Sequence, residues 1–322
     1  MEKIETLRKQ LLDVFPVRKT AAQKQAFREW LNRQLRKMGY SVEVETYGMG
    51  TNNVIAGRPE TAELVFTAHY DTGPRGIGFV SPTNLLLSVL IPVATVLMMA
   101  AAAFVLSVLP TFLINAPGAT VPLFVALMFF GLWMMVRGPA NPNNANSNTS
   151  GVLTVLSIAQ ALPKPLRKHV AFVFFDNSEA GMAGASKYKK KHSAEIGSQV
   201  FFNFDCVGDG DYILLMPSKK SRWDGQLLDN LEQCYQPVGE KVVRQTIEGL
   251  VYYPSDHRKF AFHVAVGAFH RKKGVGYYLS RIHTPKDTEL DETNIMLLRD
   301  GTVRLIEAYY NEKTGDKKDA DL

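Results

Sequence analysis

Between Arg75 and Arg137 the chain carries no charged residue, and nothing else in its sequence constrains the fold as tightly. Within that window residues 85–109, "LLLSVLIPVATVLMMAAAAFVLSVL", form an apolar run long enough to cross a bilayer, which takes roughly 20 helical residues. A second run at 120–136, "TVPLFVALMFFGLWMMV", lies near the short end of the spanning range. Between them "PTFLINAPGA" supplies a turn, and Pro92 inside the first run is a kink that membrane helices tolerate. The competing reading, a buried helical hairpin in a soluble core, leaves a charge-free stretch of this length unexplained. The window predicts two transmembrane helices.

The flanks follow another pattern. Two amphipathic helices, 2–15 and 21–38, precede three strand-like runs, "SVEVETY", "NNVIAG" and "ELVFTAHY". After the hairpin a helix from about Ser150 leads to the strand "HVAFVFFD", and a short helix, "GMAGASKYKKKH", leads to the strand "QVFFNFD". Near the C-terminus "ETNIMLLRDGTVRLIEAYY" has helical spacing. Strands that are apolar nearly throughout, alternating with helices, indicate an α/β domain whose sheet is covered on both faces. Sheet-forming segments lie on both sides of the hairpin. Residues 76–137 therefore read as an insertion into one domain made of 1–75 and 138–311, with a polar, disordered tail at 312–322. Both ends of the insertion must lie on the same side of the membrane. Lys and Arg flank it and are absent from its turn, so the positive-inside bias puts the domain in the cytoplasm.

Net charge is +6 without an arginine-rich arm, which argues against nucleic acid as the partner. The basic run "KYKKKH" at 187–192 is a solvated helix face, or a patch drawn to anionic lipid headgroups. Two distant cysteines, Cys206 and Cys234, fit a reducing compartment and argue against a disulfide scaffold or a cysteine-based zinc site. The N-terminal helix is charged throughout and is not a secretory signal.

Residues suited to chemistry sit at strand ends. His69 ends an apolar strand in "TAHYDT", and Asp71 follows at a spacing that lets a carboxylate hold a metal-binding imidazole. "NPNNANSNTSG" is an Asn-rich loop before a helix, which could simply cap that helix. Glu179 stands alone in "FFDNSEAG", with the neutral Ser178 before it. Asp205 ends the strand of "FFNFDCVGDG", and His283 lies in "SRIHTPKDT". Singly, each is as well explained by an ordinary strand end.

Together, "AHYDT", "SNTSGV", "FVFFDNSEAGMAGASKY", "NFDCVG", "SDHRKF" and "IHTPKDT" resemble, in order, the co-catalytic zinc aminopeptidases of the M28 peptidase family. The resemblance runs from about Ala21 to Tyr310, interrupted by the hairpin. It implies a zinc-aminopeptidase-like (phosphorylase/hydrolase-like) fold with a mixed central sheet flanked by helices. It also implies two zinc ions roughly 3.5–4 Å apart that activate a water against a peptide bond. Carried over by position, His69 and Asp205 would hold one zinc, Glu179 and His283 the other, and Asp71 would orient His69. Asp256 and His257 of "SDH" would line the substrate side. Two acids depart from the pattern. The bridging aspartate is Ser147, and the general-base glutamate is Ser178.

Those departures fall where loss hurts most. Without the bridge each zinc keeps two protein ligands, whereas catalytic zinc usually has three. Loss of a general base alone removes about 10²–10⁴-fold in rate. The resemblance thus implies a membrane-anchored metallo-aminopeptidase acting on peptide N-termini, impaired as written. A non-catalytic membrane scaffold on the same fold is the main alternative. An acyltransferase resembling glutaminyl cyclases is a weaker one, because those enzymes also use the missing acids.

Overall fold

The computed structural model describes residues 4–48, 50–76 and 80–320. The chain opens with α1 (Ile4–Lys9), which widens into a π-turn to Val14, and α2 (Ala21–Lys37). Thr20 and Gln23 cap α2 reciprocally, which starts the helix at the residue after Thr20. Three strands follow: β1 (Val42–Tyr47), β2 (Thr51–Gly57) and β3 (Leu64–His69). Next come a short β4 (Val80–Pro82) and the two apolar helices, α3 (Leu85–Ile114) and α4 (Thr120–Arg137). Beyond them lie α5 (Gly151–Ala161), β5 (Val170–Phe175), α6 (Ala183–Lys191), β6 (Val200–Phe204) and β7 (Tyr212–Pro217). The remainder is α7 (Gly225–Cys234), β8 (Val242–Gln245), β9 (His263–Lys272), β10 (Gly276–Ser280) and α8 (Glu292–Ala320).

The apolar runs "LVFTAH" and "VAFVFF" become β3 and β5, neighbours in the middle of a mixed sheet, parallel and buried at every position. Strand order is β1-β2-β5-β3-β6-β9-β10-β4, with β7 and β8 branching from β9. Strand alternation sends Phe66, Phe172 and Phe202 to one face, where they meet α5, and sends Val65, Val173 and Phe201 to the other, under α6. Burial on both faces is why these strands read as continuous apolar runs. Helix α8 takes in most of the polar tail, since a packed helix ahead of it supplies the costly nucleus.

The insertion leaves and rejoins the domain through a closed neck. Pro74 bridges Ala140, Arg75 N–H donates to Pro139 O at 2.8 Å, and Asn141 N–H donates to Gly73 O at 3.3 Å. Beyond the neck most of the exposed large hydrophobic side chains of the described residues lie on α3 and α4. The most apolar window of α3 is 6 % buried and that of α4 is 0 % buried, so this is no core hairpin. Both helices are long and apolar enough to cross a membrane. Helix α3 runs past the expected end at 109 to Ile114. Pro110 removes only its own N–H, and the stop comes at Asn115, whose left-handed backbone ends the helix.

Candidate active site

The C-terminal ends of the parallel strands β3, β5 and β6 lie side by side, so the residues that follow them converge in one crevice. The loop before α5 and the turn after β10 close it. The result is a cavity of about 320 Å³ whose lining includes His69, Ser147, Ser178, Glu179, Asp205 and His283.

His69 is the last residue of β3 and sits between two carboxylates. Its Nδ1 is 3.4 Å from Asp71 Oδ1 and its Nε2 is 3.6 Å from Asp205 Oδ1. Burial works against its charge, yet Asp205 and Asp71 together raise it well above an ordinary histidine. Burial likewise opposes ionisation of both acids, but His69 outweighs it and holds each below the usual carboxylate range. Asp71 does more than face His69. Its two oxygens accept the backbone N–H groups of Ser178 at 2.9 Å and Glu179 at 3.1 Å, tying the turn after β5 to the end of β3. Asp205 also accepts Ser255 Oγ at 2.7 Å.

The outer pair is looser. Glu179 Oε1 lies 3.8 Å from His283 Nδ1, with these side chains 23 % and 36 % exposed. A Cβ at Gly73 would stand 2.9 Å from the Glu179 carboxyl, so the absent side chain there lets the neck approach it. Ser178 donates its hydroxyl to Asp256 Oδ2 at 2.5 Å. Burial pushes Asp256 up to about 7, and its Oδ1 has no hydrogen-bond partner among the described residues. His257 does not line the cavity. One step along a tight 3₁₀ turn aims it elsewhere, buried with its ring 4.9 Å from His263.

Ser147 stands in the loop Ala145–Ser150, and its bond to Asn148 is cis. Asp287 carries that loop, accepting the N–H groups of Asn146 at 2.7 Å and Ser147 at 3.1 Å; burial raises it to about 6. The asparagines are more than a cap. Asn148 accepts from Gly151 N–H and Cys206 N–H and donates to Phe204 O, joining the start of α5 to the end of β6. Asp287 went unassigned in the sequence although it lies inside the motif "IHTPKDT". Arg18 had no signal at all. Fully buried, it donates to Tyr70 O at 2.5 Å and Thr149 Oγ1 at 3.1 Å, locking β3 to the same loop.

Do these residues fit two metal ions? His69 with Asp205, and Glu179 with His283, are two separate pairs of donors. Ser147, in the same cavity lining, offers only a neutral hydroxyl. Among the described residues no three His, Cys, Asp or Glu side chains gather as a metal would need. The donor set does not fit a co-catalytic two-zinc centre.

Comparison with known proteins defines the class. The profile of peptidase family M28 matches residues 134–299, just over half of the chain. The glutaminyl cyclase of Porphyromonas gingivalis superposes with a TM-score of 0.59 at 16 % identity, over 94 % of this chain and 96 % of that one. The LapA aminopeptidase of Legionella pneumophila gives 0.59 at 12 % identity, over 95 % and 70 %. The glutaminyl cyclase of Bacteroides thetaiotaomicron gives 0.53 at 14 % identity, over 94 % of each. At such identities the likeness is one of fold. No curated protein matches the chain. The fold is a mixed α/β fold of the aminopeptidase type, and the chain belongs to peptidase family M28.

Proposed function

We propose that the chain is a membrane-anchored, aminopeptidase-type member of its family that holds the free N-terminus of a peptide and hydrolyses it poorly. The observation that carries this reading is the lining of one cavity by His69, Glu179, Asp205 and His283 together with serines at 147 and 178. Buried Asp256, with its unpartnered Oδ1, and partly exposed Glu179 are acceptors suited to an α-ammonium group. Zinc remains the family's expected ion, and the donor set supports weak retention rather than a complete pair. The hairpin would anchor the chain with both flanks and the domain on the cytoplasmic side.

The test combines metal content with turnover. Full-length chain, purified in detergent and dialysed against a mild chelator, should retain fewer than two zinc ions. It should cleave a panel of aminoacyl reporters slowly, and an N-terminal glutamine reporter belongs in that panel. Two retained zincs with rapid cleavage would contradict the impairment. Failure to bind any peptide N-terminus would contradict the reading itself.

A further inference from the structure

The cavity has two unlike ends. At one lie the site residues described above. At the other the wall is α3 itself, through Ser88, Ile91 and Pro92. A second hollow of about 280 Å³ lies on α3 alone, lined by Pro92, Val93, Val96 and Leu97. Pro92 lines both, so the site cavity and a hollow on the outer surface of a helix apolar enough to cross a membrane share one wall residue.

The helix pair sets the depth of that shared wall. A Cβ on Gly131 would meet the Met99 side chain, and Thr111 Oγ1 lies 3.0 Å from Thr120 Oγ1. This antiparallel register brings Arg137, the charge that ends α4, level with about Val93. A charged residue in this position marks the headgroup boundary. Helix α3 has 30 residues, about 45 Å at 1.5 Å each, against a hydrocarbon core of about 30 Å. Its first turns can therefore lie in the headgroup layer while Val96 and Leu97 enter the hydrocarbon. The wall is also fixed to the site. Thr83 N–H donates to Tyr277 O, Tyr252 N–H donates to Thr83 O, and β4 pairs with β10, the strand that leads to His283.

We infer that the substrate of this site is a membrane-embedded polypeptide whose free N-terminus emerges at the headgroup layer. Its first residue enters the polar end, and the apolar segment behind it runs past Ile91 and Pro92 along α3. This rests on the aminopeptidase-type reading for the free amine but not for the path.

The test needs no turnover. Full-length chain in phosphatidylcholine nanodiscs is photolabelled with a peptide that has a free N-terminus, a short polar lead and an apolar transmembrane segment carrying a diazirine. A second probe has the same lead and diazirine but no apolar segment. Labelling of residues 88–97 should be at least tenfold higher with the anchored peptide. It should fall at least fivefold in Ile91→Glu and stay unchanged in Trp223→Ala. Equal labelling by the two probes, or labelling spread evenly over the outer faces of α3 and α4, overturns the inference. So does full competition by a simple fatty amide, which would assign the path to a lipid. An N-acetylated anchored peptide separates the two claims. Undiminished labelling leaves the membrane substrate standing and removes the aminopeptidase-type reading; lost labelling supports both.

Discussion

Two serines and one aspartate carry most of the chemistry at issue. Ser147 and Ser178 line the same cavity but answer to different partners, Asp287 through the backbone and Asp256 through the hydroxyl. An acid at 147 would add a charged donor to the cavity that the His69–Asp205 and Glu179–His283 pairs line. An acid at 178 would add a base beside them. Each is of little use without the other, so the gains should couple rather than add. Ser147→Asp with Ser178→Glu should raise aminoacyl hydrolysis by about 10²-fold or more over either single variant, read as kcat/KM in metal-supplemented buffer. A double variant that binds metal and cleaves nothing would favour the scaffold. Asp256 supplies a test of the cleft as folded. Burial raises it to about 7, so the folded chain keeps a proton that the unfolded chain has already released. Its contribution to stability is full below about pH 4 and is lost as pH rises through about 7. Asp256→Asn should flatten the decline in melting temperature between about pH 4 and about pH 7. Superimposable profiles for the two proteins would rule this out.

The turn between β5 and α6 positions residues 178 and 179, and a buried ion pair holds it. Lys24 Nζ donates to Asp176 Oδ1 at 2.8 Å, with side chains 9 % and 0 % exposed. Asp176 also accepts the N–H groups of Asn52 at 2.9 Å and Asn177 at 2.8 Å. A Cβ at Gly184 would come within 2.3 Å of Asp176 O, so the start of α6 can lie this close only with glycine there. Without Asp176 the buried Lys24 keeps only a neutral acceptor, Asn177 Oδ1 at 2.6 Å, and its charge is left uncompensated. Asp176→Ala should destabilise the chain by about 3–5 kcal/mol, measured by denaturant unfolding in detergent. A loss below about 1 kcal/mol would mean that Lys24 finds water or another acceptor. The sequence announced this turn by its small residues, but nothing in it paired Lys24 with a residue 152 positions away.

At the scale of the molecule the proposal concerns which side of the bilayer the domain occupies. Both native cysteines are buried, so labelling of intact cells by an impermeant thiol reagent should start from a low background. Cysteine at Arg75 or Arg137 should be protected from outside, and cysteine at Gly118, in the connection between α3 and α4, should be labelled. The opposite pattern would invert the topology. Extraction of the chain without detergent would remove the membrane reading. The two apolar helices, the central strands and the family motifs were legible in the sequence because all of these are local. Helix length, strand burial and strand-end motifs are written in contiguous residues. The contacts between distant segments came only with the tertiary structure. It brought Asp287 under the Asn-rich loop, buried Arg18 between that loop and β3, and turned His257 away while leaving Asp256 in the cavity. It also set α3 as one wall of the site, an arrangement fixed by β4 pairing with β10. Such contacts join segments as far as 194 and 246 residues apart, and no local pattern of side chains encodes which of them will meet.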